Sequence, residues 1–427
     1  MNDIPWTRWW RAPLWALAIL TGAKSFWDNP ILGSKRLNRA GLHLWRKRLA
    51  HALADRRRAR LARDLPAEWR ADFDRDGFIL VPEFLAPDAF RRLQAELLDC
   101  ALDSREHQQG DTITRRVAVG PELLQRFPAL DALLGSPRWR GIMNYVGATR
   151  AAPLYYIQTI VGGVNSSLPD PQVHLHSDTF HPSLKAWLFL TDVADDGRPL
   201  TYVAGSHRLT PERAAWERNK TLNIEHADRL SQRGSLRVET EELALLGLPQ
   251  PTRFAVPANT LVAIDTSGFH ARADSDHPTL RVELWAFSRR TPFLPWAGGH
   301  FASWRPIAVR RAAWLGRIVD ALDARGMMIQ HWKKVGLRRP LHRAGAALRW
   351  SFSNRPGLLR LVWRRRLAML IAAAGFPIGI GAGYLAGVTS AIPAEVVRPV
   401  LTNLISVSGG GSGLEEFAAI FSHNLLA

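Results

Sequence analysis

Between residues 150 and 290 the chain is a succession of short apolar runs cut apart by clusters of Gly, Pro, Asp and Ser. Tyr155–Val161, Ala186–Leu190, Leu261–Ile264 and Arg281–Phe287 have the length of strands, and their spacing suits an antiparallel barrel or jelly roll. The stretch from Trp69 reads as a helix, a turn at Asp76-Gly77, a strand over Phe78–Val81 and a helix opened by Pro87-Asp88. With 427 residues, 47% of them hydrophobic and 22% charged, the chain can pack one large domain with appendages, or two domains. Cys100 is the sole cysteine, which rules out an intrachain disulfide and a cysteine-based zinc site.

The net charge of +18 belongs to two flanks. Residues 1–65 carry 14 Lys/Arg against 4 Asp/Glu and residues 298–366 carry 16 against 2, whereas 66–297 carry 25 against 29 and the tail from 367 carries 1 against 3. Six tryptophans (Trp6, Trp9, Trp10, Trp15, Trp27, Trp45) lie in the first flank and five (Trp304, Trp314, Trp332, Trp350, Trp363) in the second. Trp mixed with Lys/Arg and apolar runs is the composition of a membrane-interface surface and argues against nucleic acid as the partner. The plainer alternative is a Trp-packed helical subdomain with a solvated Arg face. The apolar run Pro13–Leu20 is too short to span a bilayer and fits an interfacial anchor or a docked helix. Residues 40–64 repeat Leu42, Trp45, Leu49, Leu53 and Leu61 at helical spacing with Arg on the other faces, a basic amphipathic helix. Residues 298–366 return to a basic helical pattern. Residues 367–394 hold no charged side chain, yet five glycines and Pro377 make them a poor simple helix. A span, a re-entrant hairpin and a buried helical pair all stay open there, and Gly409–Gly413 reads as a flexible linker.

The chemistry is concentrated in Pro171-Gln-Val-His-Leu-His-Ser-Asp-Thr-Phe-His181. His176 and Asp178 are two apart, so on an extended strand they point to one face and can converge on one ion. A second histidine from a distant strand would complete a set of two histidines and one carboxylate, which leaves three cis positions open on iron(II). His207, on a turn in Ala204-Gly-Ser-His, and His270, just after the strand Leu261–Ile264, are the two candidates. Arg281 follows His270 by eleven residues and opens the next strand. A guanidinium there suits a diacid cosubstrate, whose distal carboxylate it can take in a bidentate pair. The plain readings beside these are turn residues for His174, His181 and His207, surface charges for Arg272, Arg289 and Arg290, and a solvated turn for Asp195-Asp196.

From Trp69 to Phe287 the chain resembles the phytanoyl-CoA dioxygenase family. The resemblance rests on Arg75-Asp-Gly-Phe-Ile-Leu-Val, His176-Ser-Asp178, Trp187, Gly197-Arg-Pro-Leu leading to Gly205-Ser-His207, and His270 with Arg281. It implies an α+β fold with a double-stranded β-helix (jelly-roll) core and flanking helices, here with basic N- and C-terminal helical extensions. It implies Fe(II) held by His176, Asp178 and His270, with 2-oxoglutarate on Arg281 and O2 as co-substrate, and it makes His207 a structural landmark. Ala271-Arg-Ala follows His270 where the family usually has Gly-Ser-Gly, so the hydroxyl that assists the cosubstrate is reassigned, with Thr279 as the candidate. The intact Asp178 points to hydroxylation rather than halogenation.

Four regions follow from this: a membrane-proximal Trp-rich segment at 1–65, the dioxygenase domain at 66–297, a basic extension at 298–366, and an apolar, membrane-embedded segment with its tail at 367–427. The expected function is hydroxylation of a lipid or lipid-linked substrate, a glycolipid or an acyl group, by an enzyme on the cytoplasmic face of a membrane. The alternatives are a hydroxylase of a soluble small metabolite and a non-catalytic scaffold. The pocket loops are expected at 104–125, 160–170 and 210–250.

Overall fold

The computed structural model describes residues 12–164, 170–298 and 304–342. Trp6, Trp9, Trp10, Trp350 and Trp363, the apolar segment 367–394 and the 409–413 linker lie outside the described residues. The strands are β1 (Phe78–Val81), β2 (Leu102–Gln109), β3 (Thr112–Ala118), β4 (Leu154–Gly162), β5 (Leu184–Phe189), β6 (Leu200–Tyr202), β7 (Thr252–Arg253), β8 (Leu261–Asp265), β9 (His270–Arg272), β10 (Thr279–Ser288) and β11 (Lys333–Arg338). The large sheet has the order β1-β8-β5-β10-β4-β3-β2-β11 and is antiparallel throughout. A small sheet, β7-β6-β9, faces it.

The helices before the large sheet are α1 (Ala12–Ala18), α2 (Lys35–Arg39), α3 (Leu42–Leu61) and α4 (Ala67–Asp76). Next come α5 (Pro87–Leu98), α6 (Pro121–Arg126), α7 (Pro128–Gly135) and α8 (Pro137–Val146). Then follow α9 (Pro211–Leu222), α10 (Arg229–Gln232), α11 (Thr240–Leu245), α12 (Arg305–Ala308) and α13 (Arg311–Ala324). Arg317–Gln330 belongs to a second compact unit, within which Gln330 donates to Asp320 at 2.9 Å.

Alternation decides the core. On β5, Leu184, Ala186 and Leu188 enter the helix-covered core with Phe73, Leu93 and Trp139. Trp187 and Phe189 point the other way, towards Leu200 and Tyr202 of the small sheet. β8 and β10 divide in the same manner, Val262, Ile264 and Trp285 to the inside, Ala263, Leu284 and Ala286 to the helices. Because both faces are covered, the runs read as continuously apolar rather than alternating. The turn at Asp76-Gly77 needs glycine: φ is +84°, and a Cβ there would lie 2.4 Å from the His207 ring.

Two expectations are corrected. Helix α3 turns only Arg48, Arg56 and Arg60 of its basic residues outward. Its buried side chains are His43, Leu44, Arg46, Lys47, Ala50, Ala54, Arg57, Arg58 and Leu61, while Trp45 is half exposed. Each buried cation has partners: Arg46 donates to the carbonyls of Ile19, Thr21 and Ala23, Lys47 meets Glu217, Arg57 donates to Ala148 and Leu294, and Arg58 meets Asp265 at 3.0 Å. These charges are tolerated inside because every one is hydrogen-bonded. The second correction is at 333–338, which is a strand, not helix, added to the edge of β2.

Candidate metal centre and its cavity

Two main-chain hydrogen bonds build the centre. His176 donates to the His270 carbonyl at 3.0 Å and His270 returns a bond at 2.9 Å, which sets the rings side by side with centroids 4.7 Å apart. Asp178 is fixed by its N–H to Thr266 (2.9 Å), and its Oδ1 lies 3.6 Å from the Nε2 of each histidine. The three ligand atoms all lie within 4.8 Å of one another. His176 Nδ1 is 2.8 Å from the His174 carbonyl and His270 Nδ1 is 3.1 Å from that of Gly268. A carbonyl only accepts, so each Nδ1 carries the proton and each Nε2 offers its lone pair to the centre. Nitrogen, nitrogen and carboxylate oxygen from one side form the donor set of a non-haem iron(II) site. His207 is not part of it; its ring packs on Phe73 at 5.7 Å.

A resident cation faces the triad. Lys185, the inward-pointing residue before Trp187 on β5, places Nζ 2.7 Å from Asp178 Oδ2 and 3.3 Å from His270 Nε2. Lys24, from the loop after α1, donates to the Asp178 carbonyl. Burial would raise the Asp178 carboxyl, but the Lys185 charge and then the imidazoles outweigh it and hold it well below the usual carboxylate range. Burial lowers His176 to about 4, so the ring is neutral and ready to ligate at pH 7. Burial and the Arg289 charge lower Lys24 to about 7.

The triad opens on a cavity of about 230 Å³ between the sheets. Arg281, inward on β10, lines it: Nε donates to Glu283 at 2.9 Å and Nη1 donates to the Arg198 carbonyl. Thr279 shares that strand face but lies beside Gly162 at the start of β10 and is not among the residues lining the cavity, whereas Thr114 is. The surface reading of three arginines is also corrected. Arg272 lines the cavity and pairs with the buried Asp170. Arg290 is buried, donating to Thr149 (2.9 Å) and to the Trp296 carbonyl, and Arg289 is half-buried near Asp178. Of the expected loops, 104–125 is largely the β2–β3 hairpin and supplies Gln109, Thr114 and Arg116 to the wall; none of 210–250 and none of the described part of 160–170 reaches it. Arg116 stacks its guanidinium over Trp285 (3.9 Å) and Trp332 (4.4 Å), and donates to Gln158 at 2.6 Å.

Lys185, Arg116, Arg272 and Lys24 were not singled out as site residues by sequence. Lys185 had a signal, as a single charge between Leu184 and the apolar run Ala186–Leu190. The other three are placed by contacts far away in the chain.

A jelly-roll core carrying two histidines and a carboxylate on one side of a cavity has the donor set of the non-haem oxygenase class. Residues 73–242, 170 of the 427, match the phytanoyl-CoA dioxygenase (PhyH) family, and over that stretch the chain is similar to the 2-oxoglutarate-dependent dioxygenases of that family. Iron and 2-oxoglutarate are the cofactor and cosubstrate of that class. The match ends before His270 and Arg281. No curated protein sequence matches the chain. Similar solved structures include the epimerase SnoN in complex with Fe3+, alpha ketoglutarate and nogalamycin RO (19% identity, 54% of this chain and 83% of that one, TM-score 0.34). HygX from Streptomyces hygroscopicus with nickel and 2-oxoglutarate is another (19%, 52% and 86%, TM-score 0.33). A third is AviO1 from Streptomyces viridochromogenes Tue57 (16%, 53% and 96%, TM-score 0.31).

Proposed function

We propose that this enzyme is a hydroxylase in which His176, Asp178 and His270 hold iron(II) and Arg281 takes the distal carboxylate of 2-oxoglutarate. The observation that carries the reading is the convergence of the three ligand atoms within 4.8 Å on a cavity that also contains Arg281. Bound iron(II), with 2-oxoglutarate and O2, supplies the oxidising chemistry that no side chain offers. The chain's own work is positional. The His174 and Gly268 carbonyls aim the imidazoles, Glu283 and the Arg198 carbonyl fix Arg281, and Lys185 neutralises Asp178 until a metal arrives. Trp187 and Trp285 give the cavity an apolar stretch of wall beside its polar side chains.

The substrate in this reading is a lipid or lipid-linked molecule whose polar or anionic head enters the cavity, with the enzyme resting on the cytoplasmic face of a membrane. A cavity of about 230 Å³ accommodates a head group, not a whole lipid. Arg116 makes no ion pair among the described residues, which leaves a cation facing the space. Leu14, Leu17, Leu20, Trp27 and Trp45 are exposed on a segment with ten more basic than acidic residues. The same small polar cavity favours a second reading, a free metabolite of head-group size. No helix among the described residues is long and apolar enough to cross a membrane.

The test is to incubate the enzyme with iron(II), 2-oxoglutarate and either membrane lipid extract or soluble metabolite extract. A lipid product heavier by one oxygen, with coupled succinate, supports the first reading; a product from the soluble extract alone supports the second. Succinate that persists in His270→Ala removes the metal assignment.

A further inference from the structure

Arg281 is a constrained cation. Its Nε is committed to Glu283 and its Nη1 to the Arg198 carbonyl, so only Nη2 lacks a partner among the described residues. Two of its five N–H donors are thereby taken, so its Nε edge is closed to a carboxylate and only the remaining Nη1 and Nη2 hydrogens are left for a ligand. A second guanidinium borders the same cavity. Arg272 lies on β9, opposite Leu200 in the register of the small sheet, two residues along the chain from the carbonyl that holds Arg281. The charges of Arg272 and Arg281 act on one another directly. Asp170 takes only Nη1 of Arg272, so its Nε and Nη2 have no partner among the described residues.

We propose that Arg272 is a second clamp on the distal carboxylate of the 2-oxo diacid, so that two guanidiniums in one cavity wall supply together the donors that Arg281 offers only in part. This rests on the cosubstrate assignment made above. Asp170 then has a defined part: it anchors one edge of Arg272 and leaves the other edge to the ligand. The arrangement also predicts discrimination. A 2-oxo acid without a distal carboxylate gains nothing from Arg272.

The experiment is calorimetry on the full chain, without oxygen and with Mn(II) in the metal site. Arg272→Gln is expected to raise the Kd of 2-oxoglutarate about 10- to 100-fold, the loss of one charged hydrogen-bond donor set. The Kd of Mn(II), measured alone, is expected to stay within about twofold, and that of pyruvate likewise. Since Arg272→Gln strips Asp170 of its partner, Asp170→Asn/Arg272→Gln is measured beside it, and the same loss is expected there. Arg272→Lys is expected to recover part of the affinity, keeping the charge without the fork. A 2-oxoglutarate Kd within about twofold of wild type in both Gln variants overturns the proposal, as does a parallel loss of pyruvate binding. If the wild-type protein binds Mn(II) and pyruvate but gains nothing from the distal carboxylate of 2-oxoglutarate, the cosubstrate reading itself falls, and the clamp with it.

Discussion

Lys185 makes the sharpest prediction, because its ammonium stands where a metal would be approached. Nζ is 2.7 Å from Asp178 Oδ2 and 3.3 Å from His270 Nε2, and the Lys185 and Asp178 side chains are only 17% and 15% exposed. A charge-assisted hydrogen bond in such a place contributes about 1.5–3 kcal/mol. A divalent ion filling the triad must separate this pair and then stand beside the displaced cation. Lys185→Met removes both costs. With about 1.4 kcal/mol per factor of ten, Mn(II) should bind the variant about 10- to 100-fold more tightly than wild type. The assay is titration of Mn(II) into metal-free protein by calorimetry, at fixed pH and salt. A thermal melt gives an independent reading. Metal-free Lys185→Met, with a buried carboxylate left unpaired, should melt below wild type, and Mn(II) should raise its Tm by the larger increment. Equal or weaker Mn(II) binding in the variant would refute the competition argument and make Lys185 a support for the ligand set instead.

Other outcomes follow from the same geometry. His270→Ala and Asp178→Ala should lose Mn(II) binding and succinate formation, whereas His207→Ala should keep the metal and lose thermal stability, which calorimetry and a melt would separate. Arg58→Met leaves Asp265 charged and buried without its 3.0 Å partner, so unfolding free energy by denaturant titration should fall by about 3–5 kcal/mol. Stability should also fall in acid. His207 is lowered from 6.5 to about 4 by burial, so the unfolded chain takes up the proton first. Its contribution is complete above pH 6.5 and is lost progressively towards pH 4, for a total of about 3 kcal/mol. His51, lowered to about 3, acts in the same direction, and melts at pH 7 and pH 5 would show the decline.

The strands and half of the metal centre were legible because they depend on local periodicity. The i, i+2 spacing of an extended segment puts both side chains on one face, so the convergence of His176 with Asp178 could be read from spacing, although His176 forms only isolated bridges and no strand runs through the pair. The apolar runs returned as β4, β5, β8 and β10, with ends shifted by a few residues. What lay beyond reach were partnerships across long separations. Spacing alone did not choose between His207 and His270; the reciprocal pairing of His176 with His270 makes that choice. The basic residues of α3 resembled a solvated face, yet Lys47 finds Glu217 across 170 residues and Arg58 finds Asp265 across 207. Arg272 resembled a surface charge until Asp170 and the cavity wall surrounded it. Period and composition express which face a side chain takes. Whether a charge on that face is buried depends on whether the fold brings a counter-charge or a free carbonyl to meet it, and only the tertiary structure decides that.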